Sequence, residues 1–398
     1  MTSDRLFTAR FFMMCGFTFT VFLSVFQLIP VSPFHITDLG GGPLASGLFL
    51  GFLTFASAWS APLTGALADR IGRRRTLILA SLALAGFTTS YAFIERVPLL
   101  LGLVLLHGIV WSSLLSASAA YMTGVLPPSR RAEGIAYWGL ATVLAMAVAP
   151  SLGFWIYRRS WAWLCAGTTL LNLGMGVIAW SLHDDRAADA GARHHHDGSW
   201  IERRVLLLAS PLFLCGYGYG TISSFSAVYT NALGVRPRAL YLTTLAVVTL
   251  FTRPVLGRLG DRIGYRRMFI PCLVLIAAGL ALLPPATTAA GLILSASVFA
   301  VGFGTSYPVF AAYVLQDISE ARRGAAFGAI LAAFDTGIGA GSTASGWLIG
   351  RAGFTTAFGT AAVLAALALP AFLLMDRYFG PRGVHSAVPP VPDAAGGF

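Results

Sequence analysis

The sequence predicts an all-α membrane protein: twelve transmembrane helices in two pseudo-symmetric six-helix bundles, with both termini cytoplasmic. Three observations carry this expectation. Hydrophobic residues make up 56% of the 398-residue chain and charged residues 11%, against roughly 45–50% and 25% in soluble domains. The apolar residues gather in runs close to the ~20 residues that a bilayer-spanning helix needs. A charged segment between the second and third runs, Gly65–Leu77 (GALADRIGRRRTL), returns 192 residues later as Gly257–Phe269 (GRLGDRIGYRRMF).

In chain order the runs lie at 11–31, 44–67, 76–94, 98–124, 134–157, 161–182, 204–230, 239–257, 268–286, 290–316, 325–348 and 354–375. Helix is the conformation that satisfies backbone groups within each spanning segment. The runs are continuous, unlike the short alternating strands of a membrane barrel. The first follows Arg5 and Arg10 as a signal peptide would. It is too long for a signal h-region and no small-residue cleavage site follows cleanly, so it reads as the first span. The polar stretch 183–203 (HDDRAADAGARHHHDGSWIER) reads as a cytoplasmic linker between an N-terminal bundle, 1–182, and a C-terminal bundle, 204–378. Residues 379–398, rich in Pro, Gly and Ala, read as a disordered tail.

Charge placement sets the orientation. All 27 basic residues are arginines, and 20 of them fall in segments on the side of the N-terminus. Arg96, Arg158, Arg159, Arg236, Arg238 and Arg351 fall on the other side, and Arg253 lies inside a run. The excess puts both termini in the cytoplasm. The net charge of +11 could suggest nucleic acid, but arginines in short loops do not form an aromatic-interleaved basic patch. Cys15, Cys165, Cys215 and Cys272 each stand alone in an apolar run, with neither metal-site nor disulfide spacing; they read as small apolar filler.

The repeat extends beyond the charged segment. At the same offset Pro62 matches Pro254, Gly65 matches Gly257, Asp69 matches Asp261, Gly72 matches Gly264 and Tyr121 matches Tyr313. The pairs Arg130–Arg131 and Arg322–Arg323 also coincide. An ungapped register indicates internal duplication. Six spans per unit give both units the same orientation, a parallel repeat about an axis normal to the membrane.

The segment GALADRIGRRRTL resembles the signature between helices two and three of the major facilitator superfamily, and GRLGDRIGYRRMF resembles its weaker second copy. The stretches TRPVLGRLGDRIG and FDTGIGAG are similar to those of bacterial solute, drug and sugar efflux members. The resemblance implies a secondary transporter in which Asp69 latches the cytoplasmic side shut and favours the outward-facing state. Its gating residues would be Gly65, Asp69, Arg70, Gly72 and Arg73, with Gly257, Asp261 and Gly264 in the second copy. The chemistry is compatible. Gly65 lets a neighbouring helix approach closely. Asp69 stands four residues before Arg73, the spacing of a helical ion pair, and can face the positive N-terminal end of the eleventh span near Gly324. The alternative is that the arginines set topology and touch lipid headgroups, the role favoured for Arg74 and Arg75. In the second copy Tyr265 replaces the arginine at i+4, so an equal latch is not expected there.

Among the carboxylates Asp335 alone lies deep in a run, and Arg253 lies two turns before Asp261. Intramembrane charge is costly and marks a cavity or a partner. Three roles are open: a structural pair, an Arg253 that binds a substrate anion while Asp335 carries the coupling proton, or an Arg253 that snorkels to headgroups. His107 titrates near neutrality and could carry protons, or it is a hydrogen-bonded core residue. Gln27, Trp111, Tyr121, Tyr217, Tyr219, Ser223, Tyr307 and Tyr313 are candidate cavity linings, each equally open to a packing role. The glycines of the eleventh span, Gly328, Gly337, Gly341 and Gly346, resemble in blurred form an exporter motif usually placed in helix five; they predict tight packing between the halves. The His194–His196 run could bind metal but sits in a linker without fixed geometry. No catalytic set, metal site or cofactor is expected. The expected partners are a small-molecule substrate, protons and membrane lipid, not nucleic acid, and a monomer is expected. The function expected is proton-coupled export of a small organic solute across a bacterial cytoplasmic membrane. An importer or facilitator of sugars or organic acids, or a non-transporting sensor or scaffold, stands as the alternative.

Overall fold

Gly72 and Gly264 end their helices in the same way, and the architecture follows from those two breaks. In the computed structural model, which describes residues 5–183, 203–318 and 322–380, both glycines adopt a left-handed φ, 98° and 89°, with ψ of 137° and 140°. A side chain would be strained there. Each turn closes one helix through its own N–H, onto the Ala68 and Gly260 carbonyls, and opens the next by accepting from Thr76 and Met268. The linker residues 184–202, including His194–His196, and the tail from 381 lie outside the described residues.

All regular structure among the described residues is helical. The helices are α1 (Ala9–Asp38), α2 (Pro43–Ile71), α3 (Arg73–Tyr91), α4 (Val97–Val125), α5 (Arg131–Tyr157), α6 (Trp161–Ser181), α7 (Arg203–Leu208), α8 (Ser210–Ala232), α9 (Leu240–Ile263), α10 (Tyr265–Leu282), α11 (Ala289–Leu315) and α12 (Arg323–Phe379). By length and composition nine of these are apolar enough to cross a membrane. The difference from the expected twelve has two sources. α3 and α8 are long enough but rich in Arg, Thr and Ser or in Gly, Tyr and Ser. α12 runs through two expected spans, with a break at Gly353, where φ is 81° and ψ 176°. The seventh expected span starts late: the chain breaks at Ala209, and Pro211 takes a first-turn position in α8, where its missing N–H costs nothing. α2 and α9 pass the end of their apolar runs, to Ile71 and Ile263, because the glycine turn rather than polarity stops them.

One core contains buried residues only from Val205 onward and another only residues up to Leu182. Within the second core, from Val205 onward, packing is governed by small residues. A Cβ on Gly337, Gly341 or Gly220 would strike the backbone of Phe213, Tyr217 and Ile338, so α8 and α12 touch backbone to backbone. Buried hydroxyl pairs, Thr221–Ser345 at 2.8 Å and Ser224–Ser342 at 2.7 Å, add hydrogen bonds along the seam. Without water to drive association, such close approach and hydroxyl bonding are what hold helices together in a bilayer.

Candidate functional site

The end carrying Gly72 and Gly264 is called the hinge end here, and the end carrying Asp38 and Tyr157 the distal end. The side chains of Asp69 and Asp261 lie outside what the structure describes, so the latch geometry expected of them is not on view. Arg70 is exposed, and Arg73 lies beside Gly124 of α4. Arg74 does more than set topology: it donates to the Trp180 carbonyl and lies over that ring, 5.7 Å from its centroid. At the repeat-related position Arg266 pairs with Asp376 at 2.7 Å, and Asp376 also accepts from Tyr313. Both arginines therefore tie the start of one helix to the end of another.

The contact between α2 and α12 changes along its length. At the distal end the two helices meet without a gap. Ser342 donates to the Gly47 carbonyl at 2.7 Å. A Cβ on Gly47, Gly51 or Gly346 would collide with Ser342, Thr343 or Pro43, and one on Gly339 would lie 2.7 Å from the Thr54 hydroxyl. Gly65 lies 18 residues after Gly47, and Gly328 lies 18 residues before Gly346. Eighteen residues are five helical turns, about 27 Å, so both inner glycines share the faces of the outer ones. Yet nothing lies within 4 Å of the Cβ positions of Gly65, Gly328 or Gly257. The close approach expected at Gly65 is absent in this conformation because the helices have parted at the hinge end. A recess of about 460 Å³ lined by Phe55, Ala56, Trp59 and Thr336 marks where the separation begins. The glycines of α12 therefore divide differently from expectation. Gly339 and Gly346 meet α2, whereas Gly337 and Gly341 meet α8.

Asp335 lies seven residues, two turns, inward of Ser342 on this same stripe. It is half-buried and makes no hydrogen bond or ion pair with the described residues. It is within electrostatic reach of Tyr307, whose buried hydroxyl also lacks a partner. Arg253 is half-buried on α9, its guanidinium against bare backbone at Gly139 of α5, 3.7 Å from where a Cβ would stand. The structural pair of Arg253 with Asp335 is not formed. One charge lies on the α2 side and the other on the α5 side of the space between the two cores. Tyr219 stacks on Phe303 at 4.5 Å, and Phe303 and Tyr307 pack on Phe334 at 5.9 and 5.4 Å, an aromatic stack from α8 through α11 to α12 that packs on the second core.

Other candidates are placed in packing. His107 is 5% exposed, bonded to the Tyr91 hydroxyl at 2.9 Å and stacked near Phe87; it belongs to the α3–α4 contact. His107→Phe is expected to lower stability by about 1–3 kcal/mol, the cost of a broken buried hydrogen bond. Transport by the folded molecules should be unchanged, which thermal unfolding and uptake assays on one preparation check. Gln27 is 1% exposed against the α5 backbone at Gly153, and its amide donates to Leu23. Tyr217 is buried in the α8–α12 seam and Ser223 is buried on α8. Trp111 is half-buried, edge-on to Phe22 at 5.5 Å. Tyr121 and Tyr313 are not cavity linings: they bond the His183 carbonyl and Asp376, at the ends of their bundles.

A distal cluster was not anticipated from sequence. Arg238 stands over the Phe34 ring at 4.9 Å and bonds Asn231 at 2.9 Å. Tyr157 donates to Asp38 at 2.5 Å, and Phe34 meets Phe154 edge-on at 5.4 Å. These residues come from loops and helix ends up to about 200 positions apart. The one usable signal was charge and aromatic residues at span ends, which does not specify pairs.

A repeated all-helical chain, apolar enough to cross a membrane many times, closed between its cores at one end and parted at the other, has the form of a membrane transporter. The family model described as Major Facilitator Superfamily matches residues 6–252 and 212–394; the chain belongs to that superfamily. It is 26% identical over 364 residues to the uncharacterized MFS-type transporter YhhS of Escherichia coli (strain K12), covering 89% of each chain. It is likewise 26% identical over 371 residues to an uncharacterized MFS-type transporter of Burkholderia mallei (strain SAVP1), covering 88% of each. Among solved structures it resembles the nucleoside transporter NupG, with a TM-score of 0.76 at 15% identity over 93% of this chain and 100% of that one. It also resembles the human organic anion transporter MFSD10, with a TM-score of 0.67 at 18% identity over 91% and 98%. At these identities the two structures establish the fold.

Proposed function

We propose that the protein is a secondary active transporter that exports a small organic solute across the bacterial cytoplasmic membrane in exchange for protons. It works as two six-helix bundles: α1–α6, and α8–α11 with the two limbs of α12 on either side of Gly353. The arginine bias puts the hinge end and both termini in the cytoplasm, so the structure corresponds to the inward-facing state. It acts as a monomer, with Trp59, Leu170 and Trp180 among the exposed apolar residues that meet lipid.

The observation that carries the proton-coupled part is Asp335. An acid within a spanning segment is costly unless it does something. This one has no partner among the described residues and sits where the two bundles separate. A carboxyl that gains and loses a proton there exchanges it with the open side. In proteoliposomes, an imposed pH gradient is expected to drive movement of a solute that the protein binds in a thermal-shift screen. Asp335→Asn should reduce that movement to background while binding persists. If the gradient drives no movement of any bound solute, the antiport reading falls.

Arg253 favours a second reading, an importer or facilitator of organic acids or sugars, because its guanidinium faces the α5 side without a counter-charge. Direction-resolved flux separates the two.

A further inference from the structure

Taking the protein as a transporter, as proposed above, we infer that its solute is a zwitterion, with the anionic group held by Arg253 of α9 and the cationic group by Asp335 of α12. The two charges stand level with each other. Thr249 of α9 lies against Gly304 of α11, where a Cβ would come within 2.7 Å of the threonine methyl. From that contact both helices run toward the hinge end. Arg253 follows four residues on and Tyr307 three, about 6 and 4.5 Å by helical rise. Tyr307 packs on Phe334 at 5.4 Å and is within electrostatic reach of Asp335. Arg253, Tyr307 and Asp335 therefore share one depth, and α11 packs on both helices that carry the charges.

Neither charge has an ion-pair partner among the described residues. Two hydroxyls beside them, Thr249 Oγ1 and Tyr307 Oη, are also buried without a hydrogen bond. Buried polar groups are as a rule satisfied, and a ligand with donors at one end and acceptors at the other would satisfy this strip. The fold does not require it. At the 192-residue offset the N-terminal bundle has Ala61 and Val143 where the second has Arg253 and Asp335, and α2 and α5 form there without either charge. The chemistry of the two ends selects the ligand. A guanidinium offers a planar fork of donors that suits a carboxylate or phosphate, and a carboxylate accepts from an ammonium group. A ligand with a single charge would satisfy one end, displace water from the other and leave a buried, uncompensated ion there, which is strongly unfavourable. A zwitterion satisfies both ends and adds no net charge. Asp335 is vacated when the solute leaves and then takes up a proton, so the assignment is compatible with exchange.

The test is binding to the purified full-length protein, read by thermal shift and titration calorimetry without any flux. The probes are 4-aminobutanoate, 5-aminopentanoate and 6-aminohexanoate, each beside the carboxylate and the primary amine of the same length, and phosphocholine beside methyl phosphate and choline. At least one zwitterion should bind about tenfold or more tightly than either of its one-charge partners, the worth of a hydrogen bond to a charged group. In Arg253→Ala the preference over the cation should vanish. In Asp335→Asn the preference over the anion should vanish, while binding itself persists through Arg253. The proposal falls if no zwitterion exceeds its one-charge partners, or if the preference survives both substitutions. It also falls if each single substitution lowers the ligand-free melting temperature and the double substitution restores it, because the two charges then pair with each other in another conformation. Zwitterion preference without gradient-driven movement would remove the exporter and leave the site; gradient-driven movement of a solute with one charge or none would remove the site and leave the exporter.

Discussion

Gly341→Val is expected to be the most destabilising single substitution in the α8–α12 seam. A Cβ at Gly341 would overlap the Tyr217 carbonyl and lie 2.6 Å from the Tyr217 Cα. The obstacle is backbone on a helix that is itself fixed: Gly216 and Gly220 of α8 press on Phe334 and Ile338 of α12 in return. Neither side can turn a side chain away, so the helices must separate. Overpacking a core costs about 1–3 kcal/mol, more where backbone has to move. Separation would also pull apart the Thr221–Ser345 and Ser224–Ser342 hydrogen bonds. The apparent melting temperature in detergent should drop by about 5–10 °C, and folded yield should fall with it. Gly328→Ala is the matched control. It changes the same residue type in the same helix, but in open space, where replacing a helical glycine by alanine is favourable by up to about 1 kcal/mol. If the two substitutions alter thermal stability equally, the seam is not a backbone contact.

The contrast between these two glycines shows what was legible in the sequence. The repeat offset made Gly72 and Gly264 equivalent before any coordinates, and both take the same left-handed turn, because a charged turn between two apolar runs is a local pattern. Spans are local too, and most ends agree within a few residues. Gly328 and Gly341 look alike in sequence. They differ in space because one faces α2 and the other α8, and which helix a face meets depends on bundle geometry rather than on spacing within one helix. The same limit explains His107 and Tyr121. A polar group in an apolar run can face a cavity or a neighbour's hydrogen bond, and Tyr91 and the His183 carbonyl are distant in sequence. Arg74 was read as a topology signal because its partner, the Trp180 carbonyl, is a backbone atom with no sequence signature. The distal cluster of Phe34, Asp38, Tyr157 and Arg238 was invisible for the same reason.

Gly346→Val and Gly328→Val are expected to push the transporter in opposite directions. The two positions lie on one face of α12, five turns apart, and differ in which closure they obstruct. At Gly346 a side chain would collide with Pro43 and lie 3.1 Å from the Leu44 Cα, so it disfavours the conformation seen here, in which the distal end is shut. At Gly328 there is room in this conformation, and the side chain would obstruct only the state in which Gly65 approaches. A steric cost of about 1–3 kcal/mol confined to one of two states changes their ratio by about 5- to 150-fold. Gly346→Val should lengthen spin-label distances across the distal end, and Gly328→Val should abolish the short-distance population across the hinge end. Solute flux should fall in both, because alternating access needs both closures, while thermal stability should fall in Gly346→Val alone. If Gly328→Val still populates the short hinge-end distance, α2 and α12 do not close over Gly328.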